Sequence, residues 1–275
     1  MKKRKPLNIE LIIKKLKTSI IGKHIIYHQE ITSTNDLARK LIKDATKEDG
    51  KNGIVILADY QTKGRGKAHR KWESEPYSNI LMTVIIKKGE HHLSYQNITL
   101  LTGLIVSEVL NNLFDIKAKI KWPNDVIINN KKVSGILSEA ATDKNGETYF
   151  LTGIGINVFQ DIENFPDEFR DSATSLSIET KKENIFIERE LIIAEILNRF
   201  ENYYYNIEKK WNKIKKLLKD LSSTISKRVK VFTGKKIIEG LALDFEDDGG
   251  LIIREDSGII KTIYSGDVEE LIWRE

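Results

Sequence analysis

The chain has 275 residues, of which 40% are hydrophobic and 31% charged, and its net charge at pH 7 is +5. This balance is typical of a soluble globular protein, and the length suffices for one substantial domain and one small domain. Because the chain has no cysteine, disulfides, thiolate metal sites and acyl transfer through a cysteine thioester are excluded. No apolar run approaches the roughly 18 residues that cross a bilayer. We therefore expect a cytoplasmic protein with no membrane partner.

The first elements are a short helix, a strand and a capped helix. Residues 9–16 carry apolar side chains at helical spacing and predict a lead helix within residues 1–22. Residues 24–28 read as a strand. The segment 32–35, Thr-Ser-Thr-Asn, precedes an amphipathic stretch and is typical of a helix N-terminus, so we expect a helix that runs to about residue 45. Exposed N–H groups at such an end also bind polar ligands, so both roles stay open.

A glycine-rich and cationic loop follows, here called the basic loop. It is Gly64-Arg65-Gly66-Lys67-Ala68-His69-Arg70-Lys71-Trp72, and apolar β-rich runs flank it at 54–58 and 80–86. Loops between buried strands present binding groups, glycine lets backbone N–H groups approach an anion, and basic side chains neutralise it. The loop indicates a site for a phosphate or an acyl phosphate. By itself it fits a solvated basic turn equally well.

The middle of the chain predicts a core helix and then an antiparallel meander. Residues 94–114 have apolar positions at helical spacing. Lys121-Trp122-Pro123-Asn124-Asp125 then places a lysine at the end of a strand, before a turn. Such a lysine is either an ordinary solvated side chain or a mobile ammonium with a fixed stem.

Three glycines, Gly135, Gly153 and Gly155, fall inside the strands of the meander, which spans residues 117–158 with turns at 129–130 and 144–146. Glycine inside a strand indicates a bulge or a close approach to the backbone. Because the three converge on one sheet face, they favour a flat bicyclic small molecule lying against the backbone over a bulge without a ligand.

The last third of the chain predicts a loop, a long helix and a small β-domain. Residues 161–184 are loop-like, and residues 188–219 are helical, with Tyr203, Tyr204, Tyr205 and Trp211 as core aromatics. From residue 222, short strands separated by Gly and Asp turns predict a small closed β-barrel. The five histidines form no zinc motif, and His91 and His92 are expected in an exposed connector.

In this order, the segments resemble the biotin protein ligases over roughly residues 20–275. The combination of the Gly-Arg-Gly loop with Lys-Trp-Pro-Asn-Asp is specific, whereas each piece alone is weak. The matching segments are Ser33-Thr34-Asn35, Gln61, Gly64-Arg65-Gly66, Lys121 to Asp125, Gly135-Ile136-Leu137 and Gly153-Ile154-Gly155-Ile156-Asn157. The resemblance implies an α+β fold. Its catalytic domain, residues 23–221, would contain a class II synthetase-like mixed sheet with flanking helices, and residues 222–275 would form an SH3-like β-barrel.

The resemblance also implies a two-step reaction. The biotin carboxylate attacks the α-phosphate of ATP to form biotinoyl-5′-AMP and pyrophosphate, and a lysine of a biotin carboxyl carrier protein then attacks the acyl carbon and releases AMP. Neither step needs a protein nucleophile, but both need neutralised charge and aligned reactants. Mg²⁺ is expected on the pyrophosphate, held mostly by phosphate and water, with no metal site made by the protein. Sheet-edge dimers in the family suggest a homodimer.

Residue roles follow from the same resemblance. Lys121 would bridge the biotin carboxylate and the α-phosphate, and Arg65 and Lys67 would close over the adenylate as the other catalytic residues. Trp72 would pack on adenine. Biotin contacts are expected from Ser33, Thr34, Asn35, Gln61, Arg65, Gly66, Lys67, Lys121, Gly135, Gly153 and Gly155. Contacts to ATP or AMP are expected from Arg65, Lys67, Trp72, Asn124 and Asn157.

The basic loop departs from the family pattern, which often reads Gly-Arg-Gly-Arg-Xaa-Gly-Arg. Lys67 stands in place of the second arginine and keeps the charge without the planar fork. His69 stands in place of the third glycine and reduces backbone freedom. The position and closing rate of the loop therefore stay open.

Three alternatives remain. A lipoate–protein ligase would use the same scaffold, and a biotin or nucleotide sensor would have an inert loop. A biotin-responsive DNA-binding regulator would need a winged helix. About 20 residues precede the first strand, too few for that module, and the positive charge is modest and interspersed with acidic residues, so we expect no DNA partner.

Overall fold

The computed structural model describes residues 4–44, 50–89, 93–180, 186–234 and 236–271. The helices are α1 (Ile9–Lys15), α2 (Thr34–Asp44), α3 (Tyr95–Phe114), α4 (Leu176–Glu179), α5 (Arg189–Tyr204) and α6 (Ile207–Asp220). The strands of the larger sheet are β1 (Ile25–Ile31), β2 (Val55–Gln61), β3 (Asn79–Lys87), β4 (Lys119–Lys121), β5 (Asp125–Ile128), β6 (Lys131–Thr142) and β7 (Thr148–Asn157). Those of the smaller sheet are β8 (Arg228–Thr233), β9 (Lys236–Phe245), β10 (Leu251–Arg254), β11 (Ile260–Ile263) and β12 (Asp267–Glu270).

The larger sheet is mixed, with strand order β1-β2-β3-β7-β6-β5-β4. Only β1 and β2 pair in parallel among the described strands, and the others pair antiparallel. The predicted meander is confirmed as β4 to β7. Asn129 and Asn130 both have positive φ, 49° and 62°, in the two-residue turn between β5 and β6, the conformation that a tight hairpin of this length requires.

The two faces of this sheet are covered unequally. Helices α3 and α5 pack against one face, where Leu101, Leu104 and Phe200 are fully buried in the main core. Helix α2 packs on the opposite face through Ala38 and Ile42. Since α2 is one helix of 11 residues, it leaves part of this face to the loops that form the site.

Helix α3 confirms the predicted core helix. Ser94 caps it, and Ser94 and Asn97 form a reciprocal capping box. By length and hydropathy, α3 is the one described helix that could cross a membrane, which the sequence had not led us to expect, but 78% of its apolar window is buried in the fold. Packing between the sheet, α5 and α6 accounts for its composition.

The stretch after residue 188 is helical as predicted, and it consists of two helices. It breaks at Tyr205 and Asn206 into α5 and α6. Tyr204 is buried as expected, whereas Tyr205 is 40% exposed. The break lets Ile207 and Leu218 join the main core, and asparagine is a poor residue for a helix interior. His91 and His92 lie outside the described residues.

The smaller sheet confirms a C-terminal β-domain. Its strands are antiparallel in the order β11-β10-β9-β8-β12. The ladders run in series from β11 to β12, in agreement with the predicted small SH3-like β-domain. Strand β12 was not predicted, because Val268 is its one buried side chain.

Helix α3 contacts the β9–β10 turn of the smaller sheet, and β4 contacts the end of α6. Asn97 Nδ2 donates to Asp247 O at 2.7 Å, and Ile120 N donates to Leu221 O at 2.8 Å. The predicted α+β fold, a mixed sheet with flanking helices and a small β-domain, is confirmed. The domain boundaries at residues 22 and 221 stay predictions.

Candidate active site

All the residues that the sequence analysis selected line one cavity of about 330 Å³ on the α2 face of the larger sheet. The N-terminus of α2, the basic loop, the turn after β4 and the segment after β7 form its walls. The selected residues are Ser33, Thr34, Asn35, Gln61, Arg65, Gly66, Lys67, Trp72, Lys121, Asn124, Gly135, Gly153, Gly155 and Asn157. Their roles toward a ligand stay predictions.

The N-terminus of α2 is held by a buried hydrogen-bond network. Thr34 donates from its backbone N and its hydroxyl to Gln61 Oε1, at 2.7 and 3.0 Å. The Thr83 hydroxyl lies 2.6 Å from Asn35 Oδ1 and 2.8 Å from the Thr34 hydroxyl. The Asn35 amide Nδ2 lies 3.3 Å from Glu139 Oε2. Thr34 and Asn35 therefore have fixed side chains, a rigid wall for a polar ligand.

Gly153 allows Asn35 to approach the sheet. A methyl group added at Gly153 would lie 2.9 Å from Asn35 Cγ, closer than two carbon atoms can pack. The absence of a side chain at Gly153 thus allows α2 to pack closely against β7.

Lys121 ends β4 as predicted and lines the cavity. Its neighbour Trp122 is 2% exposed and donates from Nε1 to Gly249 O at 3.2 Å, which fixes the turn. Among the described residues, the Lys121 ammonium has no hydrogen-bond or ion-pair partner. An unpaired cation on a fixed stem is suited to receive an anionic ligand.

The basic loop directs its cations toward protein acceptors. Arg65 pairs with Asp36 at 2.8 Å and with Glu139 at 3.0 Å. Burial opposes the charged form of Arg65, but the hydrogen bond and charge of Glu139 outweigh it and raise the pKa of Arg65. Arg70 pairs with Asp267 of the C-terminal domain at 2.8 Å.

Lys67 is the most buried cation among the described side chains of the loop. Its Nζ donates to Gly266 O at 2.9 Å and lies 5.9 Å from the centre of the Trp122 ring. Burial lowers the pKa of Lys67, with Asp267 opposing the shift. The next residue, Ala68, has φ 54° and ψ 43°, so the left-handed conformation of this turn lies at Ala68.

Trp72 lies over two of the three sheet glycines. A methyl group added at Gly155 would lie 2.5 Å from its Cε2, and one at Gly135 would lie 2.8 Å from its Cζ3. Lys132 Nζ is 5.6 Å from the centre of the Trp72 ring, within cation–π range. The Nε1 of Trp72 is buried and has no acceptor among the described residues, a cost that a ligand oxygen would relieve.

The two predicted nucleotide-binding asparagines make hydrogen bonds to the protein. Asn157 Nδ2 donates to Thr174 O at 3.0 Å, and its Oδ1 accepts from Asn79 at 3.1 Å. Asn124 Nδ2 donates to Ile136 O at 3.1 Å. Asn157 thus fastens the segment after β7, and Asn124 fastens the turn after β4.

Sequence reasoning missed the segment after β7 and several charged residues. Phe165, Pro166, Phe169, Ser172 and Ala173 line the cavity, as do Lys132 and Asp125, which form an ion pair at 2.6 Å. Glu139 was missed because it acts by holding Arg65 and Asn35. The signal for the segment was available: aromatics in an otherwise polar stretch directly after Asn157 indicate a surface that packs on something.

The arrangement can hold an anion between Lys121 and the basic loop without any protein nucleophile. Described residues contain no group of three His, Asp or Glu side chains that could hold a metal ion. Preorganised cations are what a reaction between two anionic groups needs.

Comparison with known proteins agrees with this geometry. A family model described as biotin/lipoate A/B protein ligase family matches residues 27–157, and one described as biotin protein ligase C terminal domain matches residues 224–269. The chain is 35% identical over 255 residues to the bifunctional ligase/repressor BirA of Bacillus subtilis (strain 168), covering 92% of this chain and 76% of that protein. It is 27% identical over 228 residues to the biotin--[acetyl-CoA-carboxylase] ligase of Mycobacterium tuberculosis, covering 80% of each.

A solved structure has the same fold. The biotin protein ligase from Aquifex aeolicus in complex with biotin and ATP aligns with a TM-score of 0.75 at 30% identity, over 90% of this chain and 99% of that one. The chain therefore belongs to the biotin protein ligases of the biotin/lipoate A/B protein ligase family.

Proposed function

We propose that this protein is an ATP-dependent biotin–protein ligase, which activates biotin to biotinoyl-5′-AMP and transfers it to one lysine of a biotin carboxyl carrier protein. The observation that carries the proposal is the ammonium of Lys121, which has no partner among the described residues and lies in a cavity shared with the basic loop. Family membership supplies the substrates, and the cavity supplies the charge that the reaction needs.

In the first step, Lys121 neutralises both the biotin carboxylate and the α-phosphate, so that the two anions can meet. The carboxylate oxygen forms a bond to phosphorus while the bond to the pyrophosphate oxygen breaks. Arg65 and Lys67 close over the product in our proposal. Because both are bonded to protein acceptors, they exchange Glu139 and Gly266 for phosphate oxygens.

Biotin lies at the α2 end of the cavity in this proposal. Ser33, Thr34, Asn35, Gln61, Gly66 and Gly153 surround that end. Since Asn35 and Thr34 are already fixed by hydrogen bonds, their contribution is to shape the wall, whereas the Gln61 amide Nε2 is available to the ureido ring. Gly66 lines the same end, with its backbone N donating to Arg70 O at 2.7 Å.

The nucleotide lies between Trp72, the turn of Asn124 and the segment fastened by Asn157. Mg²⁺ arrives as part of the Mg–ATP substrate and is held mostly by phosphate and water. In the second step, the acceptor amine attacks the acyl carbon and AMP leaves with the acyl–oxygen electron pair.

The proposal also includes a cytoplasmic location, a sheet-edge homodimer and no DNA partner. A gel-shift assay with genomic fragments tests the last of these, and sedimentation tests the oligomeric state.

Mass spectrometry of a carrier domain tests the function. We expect a mass increase of one biotinoyl group on a single lysine when the protein, biotin, ATP and Mg²⁺ are all present. Replacing biotin with lipoic acid, with pyrophosphate release as the readout, distinguishes biotin ligase activity from the related lipoate ligase activity. The proposal is refuted if neither the adenylate nor a modified carrier forms at high protein concentration.

A further inference from the structure

We infer that Arg4 is a positioning residue for the nucleotide end of the cavity, and that it acts through Glu75 and Asn164 without touching a substrate. The inference rests on the proposed function. It concerns the N-terminal segment, residues 4–8, which packs on the protein just before α1 begins. These described residues are not among those that line the cavity.

The N-terminal segment is anchored to buried groups. Leu7 is 5% exposed and belongs to the main core, and its backbone N donates to the carboxylate of Asp59 at 3.2 Å. The guanidinium of Arg189 donates to Lys5 O at 2.7 Å. Because Asp59 and Arg189 are themselves buried and paired with each other, this stretch of backbone is held in place, and the side chain of Arg4 starts from a fixed point.

The guanidinium of Arg4 joins two separate segments of the chain. Its Nη1 donates to Glu75 Oε2 at 3.0 Å and to the hydroxyl of Ser78, and its Nη2 donates to Phe159 O. Glu75 and Ser78 lie between the basic loop and β3, whereas Phe159 lies in the segment that follows β7. The rigid fork of arginine fixes these three acceptors relative to one another.

Glu75 connects Arg4 to a wall of the cavity. Its other carboxylate oxygen, Oε1, accepts a hydrogen bond from Asn164 Nδ2 at 2.9 Å. Asn164 directly precedes Phe165, which is 5% exposed and lines the cavity. Trp72, three positions before Glu75, lines the cavity as well. The two oxygens of Glu75 thus connect Arg4 to both sides of the space that we assign to the nucleotide.

The biotin end of the cavity does not depend on these contacts. The N-terminus of α2 is held there by Gln61 and Thr83. Without Arg4, Glu75 keeps its bond to Asn164, but the three acceptors lose their common donor. The wall after β7 then has a less defined position, so nucleotide binding should weaken while biotin binding should not.

The KM for ATP and the Kd for biotin, measured on the same proteins, test this separation. Arg4→Ala should raise the KM for ATP about fivefold or more, since misplacing an aligned group by ~1 Å costs up to ~10²-fold. Biotin affinity by calorimetry should change less than about twofold. Lys5→Ala is the matched control, because Lys5 is exposed and uses its main-chain oxygen, and it should behave as the parent does.

A double-mutant cycle tests whether Arg4 acts through Glu75. In a Glu75→Ala background, the further change Arg4→Ala should raise the KM for ATP by a smaller factor than it does in the parent, because the two side chains form one pair. Equal factors in both backgrounds would show that Glu75 does not carry the effect.

Hydrogen exchange of the ligand-free protein tests the position of the wall without any activity. In Arg4→Ala, the amides of residues 159–169 should exchange faster than in the parent, whereas those of α2 should exchange at the parent rate. Faster exchange in both regions would mean that Arg4 supports the whole fold, and this would overturn the inference.

Two further results would overturn the inference. One is parent-like exchange of residues 159–169 in Arg4→Ala, and the other is a biotin affinity that falls as much as the affinity for ATP. If the parent formed no adenylate, the proposed function would fail. The exchange of the ligand-free protein would still decide whether Arg4 holds this wall.

Discussion

Lys67 donates a hydrogen bond to the main-chain carbonyl of Gly266, 2.9 Å away, so the C-terminal domain holds a residue of the basic loop. Arg70 adds an ion pair to the adjacent Asp267. Because Arg65 is bonded to Glu139 and Asp36, these three loop cations are all engaged by protein. In the proposed function, binding of an anionic adenylate would exchange these partners for phosphate oxygens and so would couple the small domain to the chemistry.

Weakening the contact between the domains should loosen the loop. Asp267→Asn removes the charge that Arg70 meets, and we expect trypsin to cut between Arg65 and Lys71 faster than in the parent. The pair is more than half exposed on both sides, so the expected gain is modest, at most about fivefold for ~1 kcal/mol. Asp256→Asn, which breaks the exposed Arg228 pair elsewhere in the same domain, is the control. Biotinoyl-adenylate should slow cutting in the parent, and equal cutting of all proteins would show that the contact does not restrain the loop.

Lys67 should impose an alkaline limit on ATP binding. Burial lowers its pKa, and a lowered pKa means that the ammonium loses its proton at a lower pH than an ordinary lysine, near 10.5. As pH rises toward that value, the KM for ATP should rise in the parent. In Lys67→Arg the guanidinium stays protonated, so the rise should come at higher pH. We also expect Lys67→Arg to be active at neutral pH, because the fork binds phosphate well. Superimposable pH profiles would argue against a phosphate contact by Lys67.

Removing Lys121 should slow adenylate formation. Loss of one preorganised charge costs about 3 kcal/mol, or ~10²-fold, in such sites. Single-turnover pyrophosphate release from Lys121→Ala measures the effect, and biotin affinity should also fall. Lys119→Ala, an exposed lysine on the same strand, should behave as the parent does. A parent-like rate in Lys121→Ala would exclude the bridging role.

The buried pair of Arg189 and Asp59 should be the most sensitive point for stability. Both side chains are almost inaccessible and lie 2.9 Å apart, and Tyr27 also donates to Asp59. Arg189→Met leaves an unpaired buried carboxylate and should lower the free energy of unfolding by about 3–5 kcal/mol. Urea unfolding measures this. Lys87→Met breaks an exposed pair with Glu147 and should leave the free energy of unfolding almost unchanged; equal losses in both variants would contradict the argument.

Local patterns sufficed for much of the fold, and the resemblance to a known family supplied the membership of the site. The spacing of apolar residues predicted α3 and the meander, because an element that is buried on one face has apolar residues at regular intervals. Turn chemistry at Asn129 and Asn130 placed the hairpin. The resemblance to the biotin protein ligases placed Lys121, the basic loop and the α2 N-terminus in one site, and these do line one cavity.

The tertiary structure alone decided how these residues are used. No pattern in the chain relates Lys67 to Gly266 or Arg65 to Glu139, since each pair is far apart in sequence and meets only when the sheets pack. The glycines show the same limit. Their positions inside strands indicate that some group approaches the backbone closely. The sequence does not show which group it is, because glycine has no side chain whose chemistry would identify its neighbour. Packing divides them, giving Gly153 to Asn35 and Gly135 and Gly155 to Trp72.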